Sequence, residues 1–296
     1  MRKYGFISVI ICYVMWGLLP MFWRTLAALD SFYVLCARVT WSLVFISLIL
    51  LVCRKGLAIR EVASDRKELC RLAVAGVLIG VNWGTYIWAV NSGHMLDASL
   101  AYYMNPILAV LLGTIVFRER LTKLQWMAVG MAFAGIVTAV VRNGEIPWIA
   151  LVIGGTFALY GAVKKGVRSD AGVSVFYETL FLSPVTLIYM IQAEWNGNGA
   201  VGVLQGPQWL LLPMAGVVTT LPLLAFAKGI KTTPMVLSGL LMYINPTLQL
   251  LVSVIVFQEK FTVTYAILFG FVWSGLALYL LSGLREWRKK EDTLCA

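Results

Sequence analysis

The side chains of this sequence that could bind or orient a polar molecule are charged and amide groups set inside long apolar runs. Arg38 and Glu178 each lie within such a run. Asn105 and Asn245 each precede a proline in the middle of one, and Gln249 follows Asn245 by one helical turn. An ionisable side chain in hydrocarbon costs about 2.5 to 3.5 kcal/mol on insertion scales, so it normally faces a cavity or a charged partner. We interpret these residues as candidates for solute binding, with a structural ion pair as an equally open alternative for the two charged ones.

Aromatic side chains lie on neighbouring runs and extend this candidate site. Trp16 and Tyr160 lie deep in their runs, and Asn82 and Tyr86 are one helical turn apart on the same face. Aromatic rings with polar tips can enclose the apolar part of an organic solute while they hydrogen-bond its polar part. The predicted substrate-binding residues are Trp16, Arg38, Asn82, Tyr86, Asn105, Tyr160, Glu178, Asn245 and Gln249.

The depths of the two charged residues predict that they do not pair with each other. Arg38 is about six residues below the outer end of its run and Glu178 about five above the inner end of its own. At 1.5 Å per residue in a hydrocarbon core of about 30 Å, they are roughly 13 Å apart in depth. Asp97 is nearer in depth to Arg38, and Lys228 is nearer to Glu178. We hypothesise an outer and an inner gate built on these pairs, and two static ion pairs remain the alternative.

Enzymatic and metal-binding patterns are absent from the sequence. The chain has one histidine, and its five cysteines show neither pairing nor metal-ligand spacing. No phosphate-binding glycine loop followed by lysine occurs, and no Ser/His/Asp arrangement is visible. We predict a protein that is not an enzyme, uses no cofactor and, despite its net charge of +10, binds no nucleic acid.

The elements that must position these residues are membrane-spanning helices. Apolar residues make up 60% of the chain and charged residues only 13%, against roughly 25% charged in soluble domains. A helical span needs roughly 20 apolar residues, and ten runs satisfy this length approximately. The runs cover about 5–23, 32–53, 72–91, 95–117, 124–141, 147–163, 173–192, 209–230, 234–257 and 263–284.

An internal duplication relates the two halves of the chain. Residues 102–122 match residues 242–262 at ten of twenty-one positions, with a constant offset of 140 and no gap. The pair Trp16-Gly17 lies against Tyr160-Gly161 with an offset of 144. The sequence therefore predicts an all-α membrane protein of ten transmembrane helices in two five-helix repeats, 1–145 and 146–296.

The distribution of basic residues predicts that the two repeats are inverted. An odd number of spans per repeat places the second copy upside down relative to the first. With the N-terminus inside, 20 basic residues fall on the cytoplasmic side and 3 on the outside, as the positive-inside rule requires. Inverted repeats are typical of transporters, and the absence of a nucleotide-binding domain indicates a gradient as the energy source.

The Asn-Pro pairs predict a local break in their helices. Pro106 and Pro246 each remove one helical hydrogen bond, which would free the carbonyl groups of Tyr102 and Met242. A simple kink, in which nearby groups hydrogen-bond to the freed carbonyl, is the alternative for each helix. On the ninth run a polar stripe at helical spacing favours a helix that lines a cavity. The stripe comprises Ser238, Asn245, Gln249 and Ser253.

Small residues and one capping pattern predict local packing. Gly76, Gly80 and Gly84 recur at a spacing of four, which lets a neighbouring helix approach closely. Thr122 and Gln125 fit a capping box at the start of the fifth span.

The stretch NWGTYIWAVNSGHMLDASLAYYMNP at 82–106, the following Glu119-Arg120 and the TTLPLL run at 219–224 resemble the drug/metabolite transporter superfamily. Within it they are similar to EamA-type permeases of the RarD subgroup. The resemblance implies a ten-helix basket in which spans 1, 3, 4, 6, 8 and 9 surround a central cavity. It also implies amino acids, other metabolites or drugs as solutes, often moved outward. Asparagine precedes both prolines here, where the superfamily usually has serine or threonine.

Together these observations predict a secondary-active or facilitative transporter of small organic solutes in a bacterial-type inner membrane. We expect both termini in the cytoplasm, alternating access, export, a monomer or weak homodimer, and proton coupling as an open option. A receptor, scaffold or assembly factor that transports nothing is the alternative.

Overall fold

The computed structural model describes residues 2–91, 95–118, 121–143, 148–256 and 258, together with scattered residues between 263 and 278. Throughout these ranges the chain forms helices joined by turns, with no β-strand. The first half contains α1 (Arg2–Arg24), α2 (Ser31–Val52), α3 (Gly56–Ser64), α4 (Arg66–Asn91), α5 (Met95–Ile115) and α6 (Lys123–Asn143). The second half contains α7 (Trp148–Gly166), α8 (Ala171–Trp195), a 3₁₀ turn (Gly206–Leu210), α9 (Leu211–Gly229), α10 (Met235–Leu241), α11 (Ile244–Leu251) and a π-helical turn (Val252–Val256).

The first nine predicted runs each contain a helix, and α3 lies in the basic connector between the second and third runs. The tenth run lies mostly outside the described residues. The all-α class is confirmed, and the count of ten spans stays a prediction. Within the described part of the chain, six stretches are long and apolar enough to cross a membrane. They are Gly5–Arg24, Ser31–Val52, Arg66–Tyr86, Ala171–Trp195, Gly206–Gly229 and Leu237–Val256.

The two Asn-Pro elements differ in backbone structure. Helix α5 continues through position 106, whereas the ninth run turns after Leu241 and restarts at Ile244. At this turn the backbone N–H of Asn245 donates to the Met242 carbonyl at 3.0 Å. The prediction that the Met242 carbonyl is left free is therefore wrong, because the chain breaks one turn early and satisfies that oxygen locally.

Small residues set the closest helix contacts. A Cβ atom built on Gly216 of α9 would lie 2.4 Å from the carbonyl carbon of Trp41 in α2. A Cβ atom on Gly76 would lie 3.0 Å from the backbone oxygen of Glu178, and one on Gly80 would lie 2.8 Å from the side chain of Leu182. No described atom lies within 4 Å of such a Cβ at Gly84. The predicted glycine face therefore packs against α8 at two of its three positions, Gly76 and Gly80.

The packing of helices in one half has counterparts in the other. The contact of α1 with α9 corresponds to that of α4 with α7, and the contact of α5 with α7 corresponds to that of α1 with α10 and α11. The contact of α2 with α9 corresponds to that of α4 with α8. Helices α2 and α8 pack on each other, as do α5 and α10. Exchanging each helix for its counterpart five runs away maps this set of contacts onto itself.

The predicted capping box of the fifth span is confirmed. The Thr122 backbone N–H donates to Oε1 of Gln125 at 2.9 Å, and the Gln125 N–H donates to the Thr122 hydroxyl at 3.3 Å. Helix α6 begins at the next residue. Two otherwise unpaired backbone donors are thereby satisfied at the start of the helix.

Candidate functional site

A cavity of about 80 Å³ lies between the two halves of the chain. Helices α1, α2, α4 and α5 of the first half and α7 and α11 of the second contribute side chains to it. Seven of the nine predicted substrate-binding residues line it, and Tyr160 and Glu178 do not. The lining residues are Trp16, Leu19, Pro20, Trp23, Arg38, Asn82, Trp83, Tyr86, Tyr102, Asn105, Phe157, Met242, Asn245 and Gln249.

Arg38 places a cation in the wall of the cavity. Its side chain is buried, and the guanidinium carbon lies 4.1 Å from the ring centroid of Trp83 and 4.8 Å from that of Trp23. Cation–π contacts of this kind partly replace the lost hydration of the charge. The Arg38 Nε has no hydrogen-bond partner among the described residues. Arg38 is among the residues predicted from the sequence, whereas Trp23 is not, although Trp23 also lines the cavity.

The two asparagines that precede the prolines have different partners. Oδ1 of Asn245 accepts a hydrogen bond from Nε2 of Gln249 at 3.0 Å. Oδ1 of Asn105 is buried and has no partner in the described part of the structure. The difference originates in the sequence, because Ala109 occupies the position equivalent to Gln249 in the first repeat. Within the described structure the cavity thus presents one unpaired donor, Nε of Arg38, and one unpaired acceptor, Oδ1 of Asn105.

Asn82 and Tyr86 occupy adjacent turns of α4 but make different contacts. The Asn82 amide nitrogen donates to the Ile153 carbonyl at 2.6 Å and to the Thr156 hydroxyl at 3.2 Å. Asn82 therefore ties α4 to α7 in addition to lining the cavity. The Tyr86 ring packs edge-on against Tyr102, with centroids 5.4 Å apart, and together they form an aromatic wall.

Five rings from α1, α7 and α9 close one side of the cavity. The ring centroid of Trp16 lies 5.5 Å from that of Phe157 and 5.6 Å from that of Phe226. Phe226 in turn stacks on Tyr160 at 5.8 Å, and Tyr13 lies 5.9 Å from Trp16. Trp16 and Phe157 face the cavity, whereas Tyr160 lies behind them. These five rings form the aromatic cluster, meaning Tyr13, Trp16, Phe157, Tyr160 and Phe226, which is the wall of the cavity on this side.

A buried ionic cluster lies behind the aromatic cluster. Nζ of Lys164 donates to Oε1 of Glu178 and to the Ser174 hydroxyl, both at 2.5 Å. Ser174 donates to Oε1 of Glu178 at 2.8 Å, and the Tyr160 hydroxyl donates to Oε2 at 2.9 Å. Lys164 is 0% exposed and Glu178 is 2% exposed. The ionic cluster, meaning Tyr160, Lys164, Ser174 and Glu178, satisfies its charges internally.

The predicted partner of Glu178 is therefore wrong. Lys228 lies exposed near the end of α9, and Lys164 takes its place. Lys164 is one of the 20 basic residues that the predicted orientation places on the cytoplasmic side. Helical spacing explains the pairing, because Lys164 follows Tyr160 by one turn on α7 and Glu178 follows Ser174 by one turn on α8.

Other predicted polar residues have local partners or lie outside the described residues. The Ser238 hydroxyl is 2.9 Å from that of Tyr13, so the predicted polar stripe lines the cavity only at Asn245 and Gln249. The side chains of Asp97 and Ser253 lie outside the described residues, as do Glu119 and Arg120. The outer gate therefore stays a prediction.

Comparisons with known proteins agree with this architecture. Residues 3–141 match the model of the EamA-like transporter family. The chain is 38% identical to the uncharacterized transporter YojE of Bacillus subtilis, covering 97% of this chain and 96% of that protein. It is 34% identical to the protein RarD of Escherichia coli, covering 97% of each chain. One solved crystal structure aligns with a TM-score of 0.73 over 96% of this chain and 99% of its own, at 17% identity, and shows the fold alone.

Apolar helices that surround a buried polar cavity, as they do here, are typical of multi-pass membrane transporters. The chain belongs to the EamA-like family of the drug/metabolite transporter superfamily, and it is of the RarD type. The names of the family and of its relatives indicate a transporter rather than an enzyme. The bacterial relatives and the apolar helices support a multi-pass protein of the inner membrane.

Proposed function

We propose that the chain moves small organic solutes by alternating access, as a secondary-active or facilitative transporter, and that it works as an exporter. The observation that carries the proposal is the cavity between the halves, where both Asn-Pro elements meet. Two buried polar groups there have no partner among the residues that the structure describes. Buried polar groups are normally hydrogen-bonded. A polar solute bound in the cavity would satisfy them.

The packing of the helices supports two inverted repeats, 1–145 and 146–296, as the basis of the mechanism. Contacts in one half have counterparts in the other, yet α5 is continuous where the ninth run is broken. Two repeats with the same contacts and different local conformations give an asymmetric state. Exchange of the two conformations would give the opposite state, which is how inverted repeats alternate access.

The aromatic and ionic clusters fit the role of the inner gate, and they replace the predicted pairing of Glu178 with Lys228. Both charged members of the ionic cluster belong to the hairpin of α7 and α8, so the ion pair can move as a unit. The contacts that must separate are those of Tyr13 and Trp16 on α1 with Phe157 and Phe226. Opening there would connect the cavity to the cytoplasmic side in the predicted orientation.

Transport and ligand binding by the purified protein in liposomes test the proposal. The Asn245→Ala and Gln249→Ala variants should change flux or ligand affinity with little loss of folded protein, because they remove polar groups from the cavity wall. Asn198→Ala, in the exposed loop after α8, is the matched control and should behave as the unmodified chain. Unchanged flux and affinity in both cavity variants would make their hydrogen bond structural.

A receptor or scaffold that transports nothing is the alternative function. It would bind ligand without ligand-dependent flux, and the liposome experiment separates the two functions directly. The buried cavity favours transport, because a docking role needs an exposed surface rather than unpaired groups between helices.

A further inference from the structure

We infer that the cavity selects organic anions, with Arg38 as the group that binds a solute carboxylate. This inference rests on the proposed function, because it names the class of solute for the same cavity. Arg38 is the one charged side chain among the described residues that line the cavity; the others are apolar, aromatic or amide. A cationic solute would meet like charge there, whereas an anion would neutralise it.

The charge of Arg38 is not neutralised by the protein that surrounds it in the described structure. The carboxylate of Glu178 is taken by Lys164, Ser174 and Tyr160, on the far side of the aromatic cluster. Two indole rings contact the guanidinium group but accept no in-plane hydrogen bond from it. A buried charge without a counter-charge is unfavourable, so an incoming anion gains a strong partner at this position.

The chemistry of the guanidinium group favours a carboxylate in particular. Its planar fork of N–H groups matches the two oxygens of a carboxylate, and the unpaired Nε–H belongs to that fork. A cavity of about 80 Å³ is several times the roughly 10 to 15 Å³ that one water requires, so it has room for a carboxylate with a small apolar group attached. Tyr86, Tyr102 and Trp16 then offer aromatic surface to the apolar part of the solute.

Asn105 supplies a second and independent observation. Its Oδ1 is buried and unpaired in the same cavity, so the lining is not satisfied by its own contacts. Among the described residues neither group has a partner, and one polar solute could hydrogen-bond to both.

Matched acids and amides test the inference on the purified full-length protein. Benzoate and benzamide form one pair, and phenylacetate and phenylacetamide form the other; each pair differs in charge but little in shape. We expect isothermal titration to show the acid bound at least about tenfold more tightly than its amide. The Arg38→Gln variant should lose this preference and Arg38→Lys should keep part of it, because lysine retains the charge without the fork. Arg60→Gln, an exposed position on α3, is the control and should keep all of it.

Equal binding of acid and amide to the unmodified protein would overturn the inference, even if Arg38→Gln fails to fold. So would an acid preference that survives in Arg38→Gln, or the failure of both acids to bind at millimolar concentration. Liposome flux separates this result from the proposed function. Acids that bind through Arg38 but are not transported would support the anion site and contradict the proposed transport. Flux of neutral solutes with no preference for the acids would support transport and refute the anion site.

Discussion

At the scale of single residues, the two intramembrane charges show two ways to bury an ion. Glu178 has a lysine, a serine and a tyrosine within hydrogen-bond distance. Arg38 instead contacts two indole rings, and its Nε has no hydrogen-bond partner in the described part of the chain. Loss of one member of a satisfied buried pair leaves its partner uncompensated. The Arg38 charge, which has no counter-charge among the described residues, is the group that we infer to bind a solute anion.

Removal of one member of the ionic cluster should therefore destabilise the fold. We expect Lys164→Ala to lower the free energy of unfolding by about 3 to 5 kcal/mol, because it leaves the Glu178 carboxylate buried without a counter-charge. Denaturant unfolding of the purified protein in detergent measures this. Lys67→Ala, at an exposed position on α4, should change the value by less than about 0.5 kcal/mol. A loss below about 1 kcal/mol in Lys164→Ala would contradict a structural ion pair.

At the scale of helices, the closest contacts between helices occur at glycine residues, which have no side chain. Helix α9 approaches α2 at Gly216 so closely that a Cβ atom would overlap the backbone of Trp41. Backbone cannot move aside as the end of a flexible side chain can. The small residue thus determines how near two membrane helices come, because lipid supplies little hydrophobic force between them.

We expect Gly216→Ala to destabilise the protein by about 1 to 3 kcal/mol, the usual cost of overpacking. Thermal unfolding and the yield of folded protein report this change. Gly84→Ala is the matched control on α4, where no described atom lies within 4 Å of the added Cβ. It should be neutral or stabilise by roughly 0.5 to 1 kcal/mol, because alanine favours a helix over glycine. Equal behaviour of the two variants would show that the α2–α9 contact is not limiting.

At the scale of the whole molecule, the orientation of the chain depends on its 20 to 3 distribution of basic residues. Burial of Lys164 in the ionic cluster removes one charge from the inside count and leaves the asymmetry intact. The predicted orientation places the ionic cluster on the cytoplasmic side of the cavity. It also places the loop that follows α8 outside the cell.

Cysteine labelling of intact cells tests this orientation, in a background that lacks the native cysteines. We expect Asn198→Cys to react with a membrane-impermeant reagent, because the loop after α8 should face outward. Asn198 is a better position than Gly197, whose φ of +73° disfavours a side chain. Lys67→Cys should react only after the membrane is opened. The reverse pattern would overturn the topology and the inverted-repeat mechanism with it.

The sequence by itself predicted the helices, the internal repeat and seven of the residues that line the cavity. Apolar runs and the Thr122–Gln125 capping box are local patterns, so they could be read without the fold. The tertiary structure alone decided which side chains meet. Sequence depth favoured Lys228 as the partner of Glu178, but the rotation of α7 about its axis brings Lys164 there instead. Asn105 and Asn245 are equivalent in sequence, yet only Asn245 has a glutamine within reach. Depth in a membrane follows from counting residues, whereas contact depends on the rotation and crossing of helices, which are set by packing over the whole chain.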